Sequence, residues 1–171
     1  MSNEAVAQYP LGQKVSDGTG NQWLGTEAEF SDADLSQVDI KPVLSNFMVE
    51  ARFMKMTGAG NLAPGSAVKF SVAPSEFDSN AGAGEVACGV IDPWLPAGTT
   101  IDANDKCWVI FRGPSLMLSG AALGANVPLK SGASGQYADG STYDATSLGR
   151  SIAASTGAGE LQRVLLDCSL R

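Results

Sequence analysis

Asp92 closes an apolar run, Val86-Ala87-Cys88-Gly89-Val90-Ile91, and is followed by Pro93. A carboxylate where a strand ends is a residue type that can orient an attacking water. Ser115 and Lys130 are a second candidate, because a desolvated lysine can act as base toward a serine nucleophile; a Ser and a Lys at such a separation also arise by chance in β proteins. Glu27, Glu29, Asp32, Asp34 and Asp39 crowd one short stretch. Carboxylates bind hard cations, but this spacing is not that of an EF-hand loop and the glycine of its turn is missing, so a solvated acidic face is expected and no metal. The sequence contains no histidine. That removes Ser-His-Asp and Cys-His catalysis and the histidine-dependent zinc sites, each of which needs a neutral ring nitrogen. Ser155-Thr156-Gly157-Ala158-Gly159-Glu160 carries an acid where a phosphate loop needs its lysine, and reads as a turn. Cys88, Cys107 and Cys168 are odd in number and widely spaced, which favours buried free thiols over a disulfide and suits synthesis in a reducing cytoplasm.

The string Gly89-Val90-Ile91-Asp92-Pro93-Trp94-Leu95-Pro96-Ala97-Gly98 resembles the uridine-binding hairpin of trimeric dUTP pyrophosphatases. In that family an Asp after such a strand orients the attacking water, and a Tyr shortly after packs on the sugar. Here Trp94 or Leu95 holds the Tyr position, and the family's phosphate loop and glycine-rich tail are absent, so the phosphates would have no basic cradle. The plain alternative is a strand leaving its sheet at an Asp-Pro turn. Trp23 and Trp94 lie in Gly- and Pro-bounded contexts and are candidates for partner contact or for sugar stacking, whereas Trp108 lies inside a strand pattern and is expected in the core.

These residues sit in a chain of 171 with 11 Lys+Arg and 18 Asp+Glu, a net charge of −7. The basic residues are scattered singly, which argues against direct nucleic-acid binding, since phosphate contacts need clustered Lys and Arg. Charged residues are 17% of the total, well below the usual share of about 25%, while Gly and Pro contribute 20 and 8. This suits a turn-rich β protein of one domain. No apolar stretch approaches the length needed to cross a bilayer, and Met1 to Gln13 has neither the basic nor the apolar region of a signal peptide, so neither membrane insertion nor secretion by that route is expected.

The elements that must position the candidates follow from period-two patterning. Met1 to Asn21 is broken by Pro10, Gly12, Gly18 and Gly20 and is expected as an extended arm, followed by a short acidic helical turn capped by Ser31 with Phe30 and Leu35 as its hydrophobic staple. Residues 1–42 form this arm and 43–171 the folded domain. Within the domain, strands are predicted around Phe47 to Met54, Val68 to Val72, Val86 to Ile91, Lys106 to Phe111, Leu116 to Leu118, Val127 to Leu129, Leu148 to Ala154 and Leu161 to Cys168. Pro74 to Gly84 reads as a polar loop. The class is all-β: a small β-barrel or β-sandwich of about eight short strands with an extended N-terminal arm.

Within residues 62–168, VIFRGPSLMLSGAALGANVPLKSGASGQ and YDATSLGRSIAASTGAGELQRVLLD resemble the capsid decoration, or cement, proteins of tailed bacteriophages. The matching elements are Gly113 after an apolar strand, Val127 to Leu129, Gly132 with Gly135, Leu148-Gly149-Arg150, Gly157 with Gly159, and Val164-Leu165-Leu166. The resemblance implies a non-enzymatic structural virion protein without cofactor, made in the bacterial host cytoplasm and assembled as a homotrimer. Its partner would be the major capsid protein on the outer surface of the mature head, which it would stabilise against the pressure of packaged DNA. Trp23, Phe30, Leu35 and Trp94 are the residues expected at an interface. A nucleotide hydrolase using Asp92 and a receptor- or carbohydrate-binding β module of a tail or fibre are the alternatives.

Overall fold

The computed structural model describes residues 5–6, 8–31, 48–140, 142 and 144–168. Among them ten strands form: β1 (Glu27–Phe30), β2 (Val49–Met56), β3 (Ala67–Phe70), β4 (Glu76–Asn80), β5 (Gly89–Ile91), β6 (Lys106–Leu118), β7 (Pro128–Ser131), β8 (Tyr137–Asp139), β9 (Ser147–Ser151) and β10 (Leu161–Asp167). The all-β expectation holds, and the strands hydrogen-bond in the order β1-β2-β4-β3-β5-β6-β10-β9-β7-β8. A further pairing of β2 with β6 closes β2, β4, β3, β5 and β6 into a ring. Beyond the ring, β6 continues as one wall of a second group, β10, β9, β7 and β8, which folds back until Ser119 bridges Tyr137.

Three strands form where the sequence predicts none. β4 lies in the expected polar loop, β8 in a glycine-rich turn and β1 where the acidic turn begins. Each is held by one or two inward side chains, Phe77, Tyr137, and Ala28 with Phe30, too few to register as a period. Conversely β6 runs unbroken through Gly113 and Pro114, where the sequence pattern predicts two strands. The Cys168 N–H donates to Phe111 O (2.7 Å). This sets an alternation in which Pro114, opposite Leu165, points its missing donor away from β10. Gly113 has φ +95°, and a Cβ there would stand 2.3 Å from Met48 O, so glycine is what lets the start of β2 press against β6.

Two apolar clusters lie on opposite faces of β2 and β6. Met54, Met56, Val68, Phe77, Ile91, Cys107 and Val109 fill the ring. Val49, Ala51, Phe53, Trp108 and Ile110 face outward from it and merge with Met117, Leu129, Tyr137, Leu148, Val164 and Leu166 of the second group. Large side chains on both faces need a cover on the outer one, because each buried aromatic is worth several kcal/mol.

The N-terminal stretch supplies that cover. Far from hanging free, its described part is laid along the ring: Tyr9 stacks on Phe53 (centroids 5.3 Å apart), and Trp108 Nε1 donates to Tyr9 O (2.6 Å). Val15 and Lys106 exchange both backbone bonds (2.8 and 2.9 Å). Lys14 Nζ sits 2.6 Å from Asp105 Oδ2 and donates to Thr100 O at 2.7 Å. β1 then pairs antiparallel with β2, placing Ala28 opposite Ala51 and Phe30 opposite Val49. The boundary expected at residue 42 therefore crosses a shared core. The predicted helical turn, beyond its cap Ser31, and the start of the first predicted strand at Phe47 lie outside the described residues.

Candidate functional site

Asp92 leaves β5 with its carboxylate wholly enclosed. Oδ1 accepts the Trp94 N–H (2.9 Å) and Oδ2 accepts the Gly12 N–H (2.6 Å). Burial pushes its pKa up to about 7, against the lowering effect of the two N–H donors. A carboxylate sealed between two backbone donors cannot orient an external water, so the hydrolase-like hairpin serves here as a pin that turns the chain at Asp92-Pro93 and fastens Gly12. The Ser115 and Lys130 candidates have other partners. The buried Ser115 hydroxyl is placed to donate to Leu116 O (3.4 Å), and Lys130 Nζ pairs with Asp144 Oδ2 at 2.6 Å.

The four expected interface residues fare differently. Trp23 is half-buried at the rim of the outer cluster and donates from Nε1 to Gln8 Oε1 (3.0 Å). Phe30 is turned inward by the alternation of β1 to 1% exposure, edge-on to Trp108 at 5.1 Å. Trp94 is likewise drawn into the outer cluster by the turn at Asp92. Leu35 lies outside the described residues. Of the acidic group, Glu27 and Glu29 project outward from β1, and Asp32, Asp34 and Asp39 are outside the described residues.

What the strands do assemble is a furrow at the open mouth of the ring. Arg52 precedes Met54 and Met56 on the same face of β2, and its guanidinium lies 5.6 Å from the ring centroids of both Phe70 and Phe111. Glu27 pairs with it from the neighbouring register position of β1. These groups, with Cys88 and Cys168, line a cavity of about 240 Å³. Glu50 also lines it, and belongs as well to an adjoining groove of about 330 Å³ walled by Met48, Arg112, Arg150, Leu165 and Asp167.

Register turns this surface into a belt of alternating charge. Glu27 stands opposite Arg52, Glu50 opposite Arg112, and Arg112 opposite Asp167. Arg112 Nη1 lies 3.1 Å from Glu50 Oε1. Exposed pairs of this kind add at most about 1 kcal/mol each to folding. Their chemical use is orientation: a partner of matching charge is steered and held in one register. Met48, 45% exposed at the end of the belt, offers an apolar contact beside it.

No family model matches the chain, and no curated protein matches it at a significant level. Its fold is found in a solved phage protein. The crystal structure of the head fiber gp8.5 N base in bacteriophage phi29 superposes with a TM-score of 0.50 at 15% sequence identity, over 69% of this chain and 95% of that one. At this identity the likeness is one of fold.

The belt is hidden in the sequence because its members lie far apart along the chain. One signal is present there: Glu50 and Arg52 are the polar positions of an alternating strand whose apolar positions are core. Which charges they meet on β1, β6 and β10 depends on register. Among the described residues no helix is long and apolar enough to cross a membrane, and no cluster of three or more His, Cys, Asp or Glu is placed to hold a metal ion.

Proposed function

We propose that this protein is a structural component of a tailed-phage virion, a decoration protein that docks as a homotrimer on the major capsid protein of the mature head and carries out no reaction. The observation that carries this reading is the fold shared with the head fiber base of phi29, which extends over nearly the whole of that base. The decoration-protein pattern from Gly113 to Leu166 supports it independently, since it rests on the amino-acid sequence alone. The enclosure of Asp92 weighs against the hydrolase alternative that rested on that residue.

In this reading the charge belt and Met48 form the docking face. Contacts made only with the mature lattice stabilise that lattice by mass action, as any ligand stabilises the state it binds. Co-sedimentation of the intact chain with mature heads and with unexpanded procapsids of the source phage tests it. Saturable binding to mature heads is expected, weakened at least tenfold by Arg112→Glu and by raised salt. Binding to neither shell would overturn it.

The phi29 neighbour favours one variant of this role, a base that roots a fibre on the head. Stoichiometry separates the two. A decoration protein saturates at a copy number comparable to the lattice sites and raises the temperature at which heads release DNA, whereas a fibre base binds few sites and leaves that temperature unchanged.

A further inference from the structure

Cys88 and Cys168 are far apart in the sequence, yet the topology delivers them to one place. β5 and β10 follow each other along the same edge of β6: Val90 pairs with Ile110, and the Cys168 N–H reaches Phe111 O, the very next residue. A Cβ on Gly89 would lie 2.5 Å from Ile110 O, so Cys88, one residue earlier, arrives where β10 ends. Both cysteines line the mouth cavity, and neither is joined in a disulfide. The Cys168 thiol meanwhile donates to Leu148 O at 3.6 Å, a weak bond that a turn of its side chain would exchange for a new partner. Cys88 sits at the edge of the ring cluster and Cys168 at the edge of the outer one, whereas Cys107 is fully enclosed and does not line the cavity.

We propose that Cys88 and Cys168 are a dithiol site that closes to a disulfide across the barrel mouth when the protein meets a small-molecule disulfide, stapling the end of β10 to the entry of β5. In the first step the thiolate of one cysteine attacks a sulfur of the small disulfide, forming a mixed disulfide and releasing one small thiol. The second cysteine, deprotonated, then attacks the protein sulfur of that mixed bond and expels the other small thiol. The two cysteines together lose two electrons and two protons, and one reagent disulfide becomes two thiols. The cavity gives the reagent its way in, and the positive charge of Arg52 on its wall favours the Cys88 thiolate.

The reaction should be slow at neutral pH and accelerate with alkalinity. Burial first, and then the neighbouring Cys168, push the Cys88 thiol up to about 12, so the reactive thiolate is scarce at pH 7 and rises about tenfold per pH unit.

The test is incubation of the native full-length protein with excess hydroxyethyl disulfide, the linear oxidised form of 2-mercaptoethanol, at pH 7, 8 and 9, followed by denaturation, thiol counting and tryptic mass spectrometry. The three cysteines fall in separate tryptic peptides, since Lys106 and Arg112 bracket Cys107 and Arg163 precedes Cys168. Expected are one remaining thiol of the three, a Cys88–Cys168 linked peptide pair, a rate that climbs about tenfold per pH unit, and a higher melting temperature for the oxidised form. Cys107→Ser should leave the linkage intact, and this conservative variant keeps the result readable without disturbing either proposed partner. Three thiols still titratable after oxidation, a stable mixed disulfide, or a linkage that includes Cys107 would each overturn the proposal.

Discussion

Replacing Asp92 by Asn isolates a buried titration that the structure places between the N-terminal stretch and the barrel. The folded-state pKa is about 7 against an ordinary value of 3.8, raised mainly by burial. A carboxyl whose folded pKa is raised contributes stability that is fully present below pH 3.8 and is lost as pH climbs through 7. The full loss is about 4 kcal/mol, from roughly 1.4 kcal/mol per pKa unit. Asn has nearly the same shape and does not titrate. With one carbonyl oxygen for two donors, it leaves the Gly12 or the Trp94 N–H unpaired, at a pH-independent cost of about 1–3 kcal/mol. At pH 4.5 the variant is therefore less stable than the parent. Between pH 4.5 and pH 8 the difference should swing by about 3 kcal/mol in favour of the variant. Other carboxylates titrate identically in both proteins and cancel. Urea unfolding at several pH values, followed by the emission of the buried Trp108, measures the swing directly. A difference that stays constant to within about 0.5 kcal/mol would refute the reasoning, because it would mean that the two N–H donors outweigh burial and Asp92 is already ionised at pH 4.5.

The remaining predictions test other joints of the structure. Gly149→Ala should cost about 3 kcal/mol or more, read as a falling melting temperature, since φ is +145° and the new Cβ would lie 1.9 Å from Leu165 O; Gly157→Ala, with nothing within 4 Å, should change stability by less than about 0.5 kcal/mol. Lys14→Met strands the Asp105 carboxylate, whose pKa burial pushes up but Lys14 and neighbouring hydrogen bonds bring below its usual value. The loss should be about 2 kcal/mol in chemical denaturation at pH 7 and should shrink as pH falls below 4, where the carboxylate protonates in both states. Deleting residues 1–15 uncovers Trp108 and Phe53 and removes the Val15–Lys106 pairing, so calorimetry should show no cooperative transition. For the same reason the charge variants, and not an N-terminal truncation, are the proper probe of capsid binding.

Much of the fold is legible in the sequence because strand patterning is a local property. Val49, Ala51 and Phe53 alternate with Glu50 and Arg52, and Gly149 breaks any helical reading of its segment. The absence of histidine excludes whole classes of chemistry on composition alone. Short strands anchored by a single side chain, such as β4 on Phe77, are not legible, since a period needs at least two repeats.

By itself, then, the sequence determined an all-β protein with buried thiols and without histidine chemistry, because composition and period-two alternation do not depend on what a strand meets. The tertiary structure alone decided the rest. Gly12 reaches Asp92 across 80 positions and Tyr9 reaches Trp108 across 99, which makes the described part of the N-terminal stretch a cover of the core rather than an arm. The pairing of β1, β2, β6 and β10 set which charges stand opposite one another in the belt. It also brought Cys88 and Cys168 to one edge of β6. Register and ring closure are fixed by burying side chains from distant segments together, and a shift of one residue would turn each of these groups to the other face.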